Sequence, residues 1–387
     1  MPVLLYLLAL AVFAQGTSEF VLAGILPGIA ADLDVPLGQA GLLTSGFALG
    51  MVIGAPLMAA AARRASPRWS LTAFLALFIV AHVVGSVTDS FAVLLATRIA
   101  AALAHAGFLA VTLATVTRLV PAAQHTRALA VILGGTTLAL VAGVPAGGLV
   151  GETLGWRSTI GAIALLCVPA LVAVFLAAPS DPAPADATRA VGSVRRELAT
   201  LREPSLRGFL LLAVLVNAAT FCTFTYLAVI AAGPAGVPDR LVPALLAVFG
   251  AGAFVGVAVA GRLGDAHWRR LLGVTSPVLL AGWATLALAV DVEWLVWALV
   301  FVQGALSFAL GSTLIARLLA AARAAPTLGG SFATVALNIG AVLGPLIGGL
   351  ALDTRGERAP IWASALLVAV AAITWFLWRE GSRRARH

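Results

Sequence analysis

Twelve stretches of predominantly apolar residues, each long enough to cross a lipid bilayer, run through this 387-residue chain and leave little sequence outside them. A hydrocarbon core about 30 Å thick needs about 20 helical residues. The apolar runs fall at approximately 3 to 29, 39 to 62, 69 to 87, 91 to 117, 128 to 151, 158 to 178, 208 to 232, 241 to 261, 271 to 290, 295 to 316, 328 to 352 and 360 to 378. Segments of this kind must satisfy their backbone polar groups internally, which runs of this length do as α-helices. Only 10% of the residues are charged, against roughly a quarter in soluble domains. Soluble enzymes and nucleic-acid binders are thereby excluded. The formal charge of +8 does not signal a polyanion partner, because all 24 basic residues are arginines scattered through short loops. The two cysteines, Cys167 and Cys222, lie inside apolar runs. They provide neither a disulfide framework nor a metal cluster and are expected to pack. The first apolar run has no basic segment before it and is broken only by Gln15 to Glu19. It reads as a first membrane span, not as a cleaved signal.

An even number of spans places both termini on one side, and arginine placement says which. With the N-terminus cytoplasmic, 19 of the 24 arginines fall in inner loops and the tail, among them Arg63, Arg64, Arg68, Arg195, Arg196, Arg269, Arg270, Arg383 and Arg384. The outer loops hold Arg157, Arg240, Arg355 and Arg358, and the acidic residues lean outward. This is the bias of a multi-pass protein of the cytoplasmic membrane with both termini inside.

One connection is long and polar, residues 179–206, with Pro179, Pro182 and Pro184 ahead of a charged stretch that reads as helical from Arg195 to Arg202. It divides the chain into a six-helix bundle over residues 1–178, a cytoplasmic linker, and a second six-helix bundle with a short tail over residues 207–387. The halves look duplicated. At an offset of 202 residues, Phe47, Gly50, Gly54 and Arg68 fall on Phe249, Gly252, Gly256 and Arg270. At an offset of 201, Gly143, Gly147 and Gly148 fall on Gly344, Gly348 and Gly349. Parallel six-helix repeats define an all-α membrane protein of two pseudo-symmetric bundles, the plan of the major facilitator transporters.

Glu19 is the only acidic residue deep inside a span. A carboxylate at the bilayer centre costs roughly 2.5 to 3.5 kcal/mol on insertion scales, so this one is expected to face a cavity and carry a proton, the other reading being a helix-packing hydrogen bond. Arg98, in the fourth span, either snorkels outward as an anchor or lines the cavity and acts on Glu19 through its field. His105 follows Arg98 by seven residues and so shares its helical face. Relay and interhelical hydrogen bond both fit His105, while His82 in the third span reads as packing. A neutral polar set includes Gln15, Thr17, Asn217, Tyr226, Gln303 and Asn338, on spans 1, 7, 10 and 11, and Phe221 lies beside it. Some of these tie helices together; others are expected to contact substrate. No nucleophile, base and orienting group share a helix face, so an enzyme is not expected.

Small residues recur every four positions at Ala139, Gly143, Gly147 and Gly151, and again at Ala336, Gly340, Gly344 and Gly348, each series beside a proline, Pro145 or Pro345. The spacing lets helices approach closely and the prolines bend them. The two series are expected to seal and slide as the halves rock. The loop Gly261 to Arg270 carries Asp265, Arg269 and Arg270 as a candidate latch on helix ends. Its first-half counterpart has Arg63 in place of the acid.

The loop 261–270 resembles the G-x-L-x-D-R-x-G-R-R signature of major facilitator transporters, with Ala266 in place of an Arg. Gly143-Val144-Pro145-Ala146-Gly147-Gly148 resembles the antiporter motif of drug:proton exporters, and Arg98 matches their fourth-helix Arg, followed here by Ala101 and Ala102 in place of Gln-Gly. The runs FAQGTSEFVLAGILP, GWRST, NAATFCTFTYLA, FVQGALSFALGSTLIAR and PTLGGSFATVALNIGAVLGP are similar to the chloramphenicol-resistance exporters of high-GC bacteria. This resemblance implies proton-driven efflux of a phenicol drug by a monomer with no cofactor, the proton gradient supplying the energy, and Glu19 and Arg98 at the coupling site. Sugar or metabolite efflux by the same fold is the alternative. A channel or membrane sensor, a different class, is disfavoured by the duplication and the lone buried acid.

Overall fold

The computed structural model describes residues 3–62, 66–121, 124–180, 194–323, 325 and 329–384. Every regular element among them is helical, and twelve segments are long and apolar enough to cross a membrane, as the hydropathy pattern predicts. In chain order the helices are α1 (Val3–Phe20), α2 (Leu22–Asp32), α3 (Leu37–Ala62), α4 (Pro67–Val87), α5 (Phe91–Leu119), α6 (His125–Leu138), α7 (Val144–Leu154) and α8 (Trp156–Ala177). They continue with α9 (Val194–Ala199), α10 (Pro204–Phe224), α11 (Leu227–Ala232), α12 (Val242–Leu288), α13 (Glu293–Ala321), α14 (Gly329–Arg355) and α15 (Ala359–Arg384). The starts follow local chemistry. Pro67 and Pro204 occupy first-turn positions where a missing N–H costs nothing. Ser90 caps α5 by accepting from the Val93 N–H at 3.4 Å. Gly155, at φ 82°, makes the left-handed turn from α7 to α8 that a side chain would strain.

The chain forms two compact units. One comprises Met1–Val35 with Leu42–Ala190, the other Pro36–Gly41 with Val191–His387. The linker stretch that reads as helical is α9 followed by a 3₁₀ turn at Thr200–Arg202. Its prolines at 182 and 184 lie outside the described residues, as do Arg63 and Arg64. Within the stretch 261–270, where a connection between two spans was expected, the spans Asp239–Leu263 and His267–Leu288 meet at a kink in α12, with His267 outside helical geometry (φ −123°, ψ 19°). The Asp265 side chain lies outside the described set.

Lipid tails are as apolar as leucine, so helices in a bilayer associate through close contact and not through burial from water. The duplicated glycines supply that contact in the same way in each unit. A Cβ at Gly50 would stand 2.7 Å from the Ile99 carbonyl oxygen of α5, and one at Gly54 3.1 Å from the Leu103 Cα. In the second unit, Cβ atoms at Gly252 and Gly256 would meet the backbone of Phe301 and Ala305 on α13. Each small-residue series likewise faces the first helix of its own unit. Ala139 and Gly143 lie on Gly16 and Thr17, Gly147 on Val21, and Gly151 on Ile25. Gly340, Gly344 and Gly348 lie on Asn217, Ala218, Cys222 and Tyr226 of the α10 region. The contact these series seal is therefore a helix pair within each bundle.

The first span of each unit is interrupted, at Val21 between α1 and α2 and at Thr225-Tyr226 between α10 and α11. The fifth span widens into a π-helical turn over Ala139–Gly143, where the Val144 N–H reaches back to the Ala139 carbonyl. The wide turn immediately precedes Pro145, whose ring has no N–H to give and would clash with a regular preceding turn.

Candidate functional site

Polar side chains from α1, α4 and α5 converge inside the first unit. Arg98 of α5 is 4% exposed. Its Nη1 donates to Ser18 Oγ and its Nη2 to the Ser18 carbonyl oxygen, both at 2.6 Å. The guanidinium lies 4.5 Å over the Phe47 ring centroid, a cation–π contact. Ser18 Oγ is also 2.7 Å from His82 Nε2, and His82 Nδ1 is 2.8 Å from the Phe78 carbonyl oxygen. Because that carbonyl can only accept, Nδ1 carries the hydrogen. Nε2 then accepts from the Ser18 hydroxyl, leaving the serine lone pairs to the arginine. The Phe78 ring stacks on His82 with centroids 4.0 Å apart.

Beside this chain, His105 Nδ1 is 2.5 Å from Gln15 Oε1 and therefore donates to it. The remaining ring nitrogen, Nε2, carries a lone pair and lies 3.9 Å from Glu19 Oε2. The Glu19 side chain retains 19% exposure while that of His105 retains 2%. No ion pair within 4.0 Å joins Arg98 to Glu19; the guanidinium is held by neutral acceptors. Two donors, Arg98 Nε and Gln15 Nε2, are buried without a partner.

The candidate residues on other elements are mostly engaged as ties. Thr17 Oγ1 donates to its own helix at the Phe13 carbonyl, 2.8 Å away, and packs on Gly143. In the second unit, Asn217 Nδ2 donates to the Leu337 carbonyl of α14 at 2.6 Å, and the Tyr226 hydroxyl to the Pro345 carbonyl at 2.8 Å. Gln303 Nε2 donates to the Leu279 carbonyl at 3.1 Å, joining α13 to the second half of α12, while its Oε1 is buried without a partner. Asn338 donates within its own helix to Thr334, and Phe221 meets Phe224 edge to face. Arg269 and Arg317 both lie over the Trp268 ring, in a cluster with Phe209, Trp375 and Trp378; Arg270 is exposed. Pro145 lies in the first turn of α7, three residues before Gly148, and Pro345 lies inside α14 beside Gly344.

At the start of α8, Arg157 bonds Asp32, the Thr88 carbonyl at 3.0 Å and Asp89 at 2.6 Å, while stacking over Trp156. Arg157, with a further hydrogen bond from Trp156 Nε1, holds the Asp32 carboxyl below the usual carboxylate range.

Sequence reasoning brought Gln15, Glu19, Arg98 and His105 forward, and the structure gathers all four. It missed Ser18, Phe47 as a ring under the arginine, and His82 as more than packing. Helical periodicity orders residues along one helix and carries no information about which helix stands opposite.

A twelve-span membrane protein made of two six-helix units, with a half-buried acid beside a buried arginine and two buried histidines among the spans of one, has the build of a secondary transporter. The chain belongs to the Major Facilitator Superfamily, a class of transporters and not of enzymes: the family profile matches residues 8–326 and again residues 235–387. It is 54% identical over 380 residues to the Chloramphenicol resistance protein of Streptomyces lividans, covering 98% of this chain and 97% of that one. It is 31% identical over 346 residues to the Inner membrane transport protein YdhP of Escherichia coli strain K12, covering 89% and 88%. Among solved structures it resembles a bacterial homologue of the human lysosomal transporter Spinster in an inward-facing, unoccupied conformation. The TM-score there is 0.79 at 17% identity, over 97% of this chain and 96% of that one; at this identity the likeness speaks for the fold.

Proposed function

We propose that this transporter is a proton-coupled antiporter that exports chloramphenicol or related small amphipathic drugs by alternating access, with both termini in the cytoplasm. The drug assignment is supported by the relative named for chloramphenicol resistance at 54% identity. Proton coupling rests on one observation, a part-exposed Glu19 side chain inside a span with its carboxyl oxygen 3.9 Å from His105 Nε2. A protonated Glu19 donates toward Nε2, and an ionised one leaves Arg98 as the nearest cation. Proton and drug exclude one another: drug binding favours the ionised carboxyl, the proton leaves toward one side, and reprotonation from the other side resets the site. His105 accepts from the protonated carboxyl, and Gln15 fixes the tautomer that leaves Nε2 free to do so. Drug contacts are assigned to Gln15 and Thr17 and, in the second unit, to Asn217, Phe221, Tyr226, Gln303 and Asn338.

The test is Glu19→Gln in the full-length protein. We expect loss of uphill phenicol efflux in proteoliposomes with wild-type expression and insertion. Wild-type resistance in that variant would remove Glu19 from the mechanism. A resistance profile across phenicols and unrelated antibiotics in a sensitive host tests the drug class.

A further inference from the structure

The site as proposed uses Glu19, His105 and Arg98 and leaves His82 without a task, although His82 is 3% exposed and bonded at both ring nitrogens. Its place is specific. The Phe78 carbonyl takes the Nδ1 hydrogen, so Nε2 must accept from the Ser18 hydroxyl at 2.7 Å. With its hydrogen committed to His82, Ser18 presents lone pairs on both Oγ and its carbonyl to Arg98, at 2.6 Å each. A buried guanidinium holding only neutral acceptors is a costly arrangement, because its charge is unpaired. The one carboxylate near enough to compete for it is Glu19, the residue after Ser18.

From this juxtaposition we propose that His82 is a positioning residue of the proton-coupling site: through Ser18 it holds Arg98 away from Glu19, and it thereby sets how readily Glu19 keeps its proton. While Glu19 is protonated, Arg98 stays on Ser18. When Glu19 ionises, the carboxylate and Ser18 compete for the same guanidinium, and the strength of the His82 to Ser18 hydrogen bond decides the balance. Other ionisable groups around the network are few. Besides Glu19 on α1, His82 on α4, and Arg98 and His105 on α5, the same helices carry Tyr6 near the start of α1, Arg68 at the start of α4 and Arg118 at the end of α5, and the packed helix α8 brings Arg157 at its start and the thiol of Cys167. Helix α3 brings none, and α6 and α7 carry His125 and Arg127 at one end and Glu152 at the other.

The inference rests on Glu19 being the proton carrier, and the experiment separates the two. Equilibrium binding of radiolabelled chloramphenicol to the purified full-length protein is measured across the neutral pH range for wild type, Glu19→Gln, Ser18→Ala, His82→Leu and His82→Gln. Freed from Ser18, Arg98 turns to Glu19 and favours its ionised form. The pH profiles of His82→Leu and Ser18→Ala should therefore move together to more acid values by about one pH unit, the low end of the effect of an opposite charge at contact. His82→Gln, whose amide oxygen reaches the position of Nε2, should stay near wild type. A His82→Leu profile unmoved while Glu19→Gln abolishes pH dependence overturns the role of His82 and leaves the carrier standing. Wild-type pH dependence in Glu19→Gln overturns the carrier, and with it this inference.

Discussion

Arg157, at the start of α8, joins the end of α2, the turn before α5 and the ring of Trp156 through one guanidinium. Its fork suits this, since a planar group with five donors satisfies several acceptors at once. The consequence for pH follows from the Asp32 carboxyl, which Arg157 holds below its ordinary range. A depressed folded-state value means that the contribution to stability is present above the unfolded value, about 3.9, and is lost as pH falls through the lower folded value. The unfolding temperature of the purified protein in detergent should drop on acidification below about pH 4, and Asp32→Asn should flatten that drop while leaving the neutral-pH drug affinity unchanged. An equally steep acid limb in the variant would place the effect elsewhere. This cluster was partly legible in GWRST, a run noted only for its resemblance; its partner Asp32, 125 positions away in the chain, was not.

At the scale of elements, the glycines make the sharpest statement, because neighbouring positions on one helix answer oppositely. Gly256 faces the backbone of Ala305, which cannot move aside as a flexible side chain can, whereas Gly261, five residues on, has nothing within 4 Å of the position a Cβ would take. Gly256→Val should destabilise by about 1 to 3 kcal/mol through overpacking, and Gly261→Ala should be neutral or stabilising by up to about 1 kcal/mol through helix propensity. Thermal unfolding of the two variants in the same detergent checks the contrast; equal shifts would mean that α12 and α13 do not meet where these residues lie. Gly147→Val acts on a different pair, since its side chain meets Val21 at the interruption between α1 and α2. Transport should fall while drug binding at equilibrium persists, and a wild-type transport rate would sink the idea that α7 on α1 has to move. The four-residue spacing announced both contacts and left the partner helix open. Proline 145 announced a bend, but the π-helical turn before it depends on how the helix relieves the missing hydrogen bond, which no spacing encodes.

At the scale of the whole molecule, the number of spans and the duplication were readable because the bilayer sets one length for every helix and because the repeats keep their glycines at nearly constant offset. The polar cluster proposed as the coupling site was readable only in outline: an acid in a span is conspicuous, while the serine and histidine that hold its neighbouring arginine look like ordinary packing. That outline still constrains energetics. Glu19 is the one acidic residue away from the ends of the spans, so the proposed antiport cycle should carry a single proton inward for each neutral drug molecule outward. One proton yields about 1.4 kcal/mol per pH unit and about 2.3 kcal/mol per 100 mV. The steady-state drug ratio across proteoliposomes should therefore rise about tenfold for each imposed pH unit and about fifty-fold for each 100 mV, and a protonophore should collapse both. Measured as the slope of log drug ratio against imposed pH difference, one carrier gives a slope of about one. A slope near two would require a second proton, for which His105, already facing Glu19 across 3.9 Å, is the group in place to carry it.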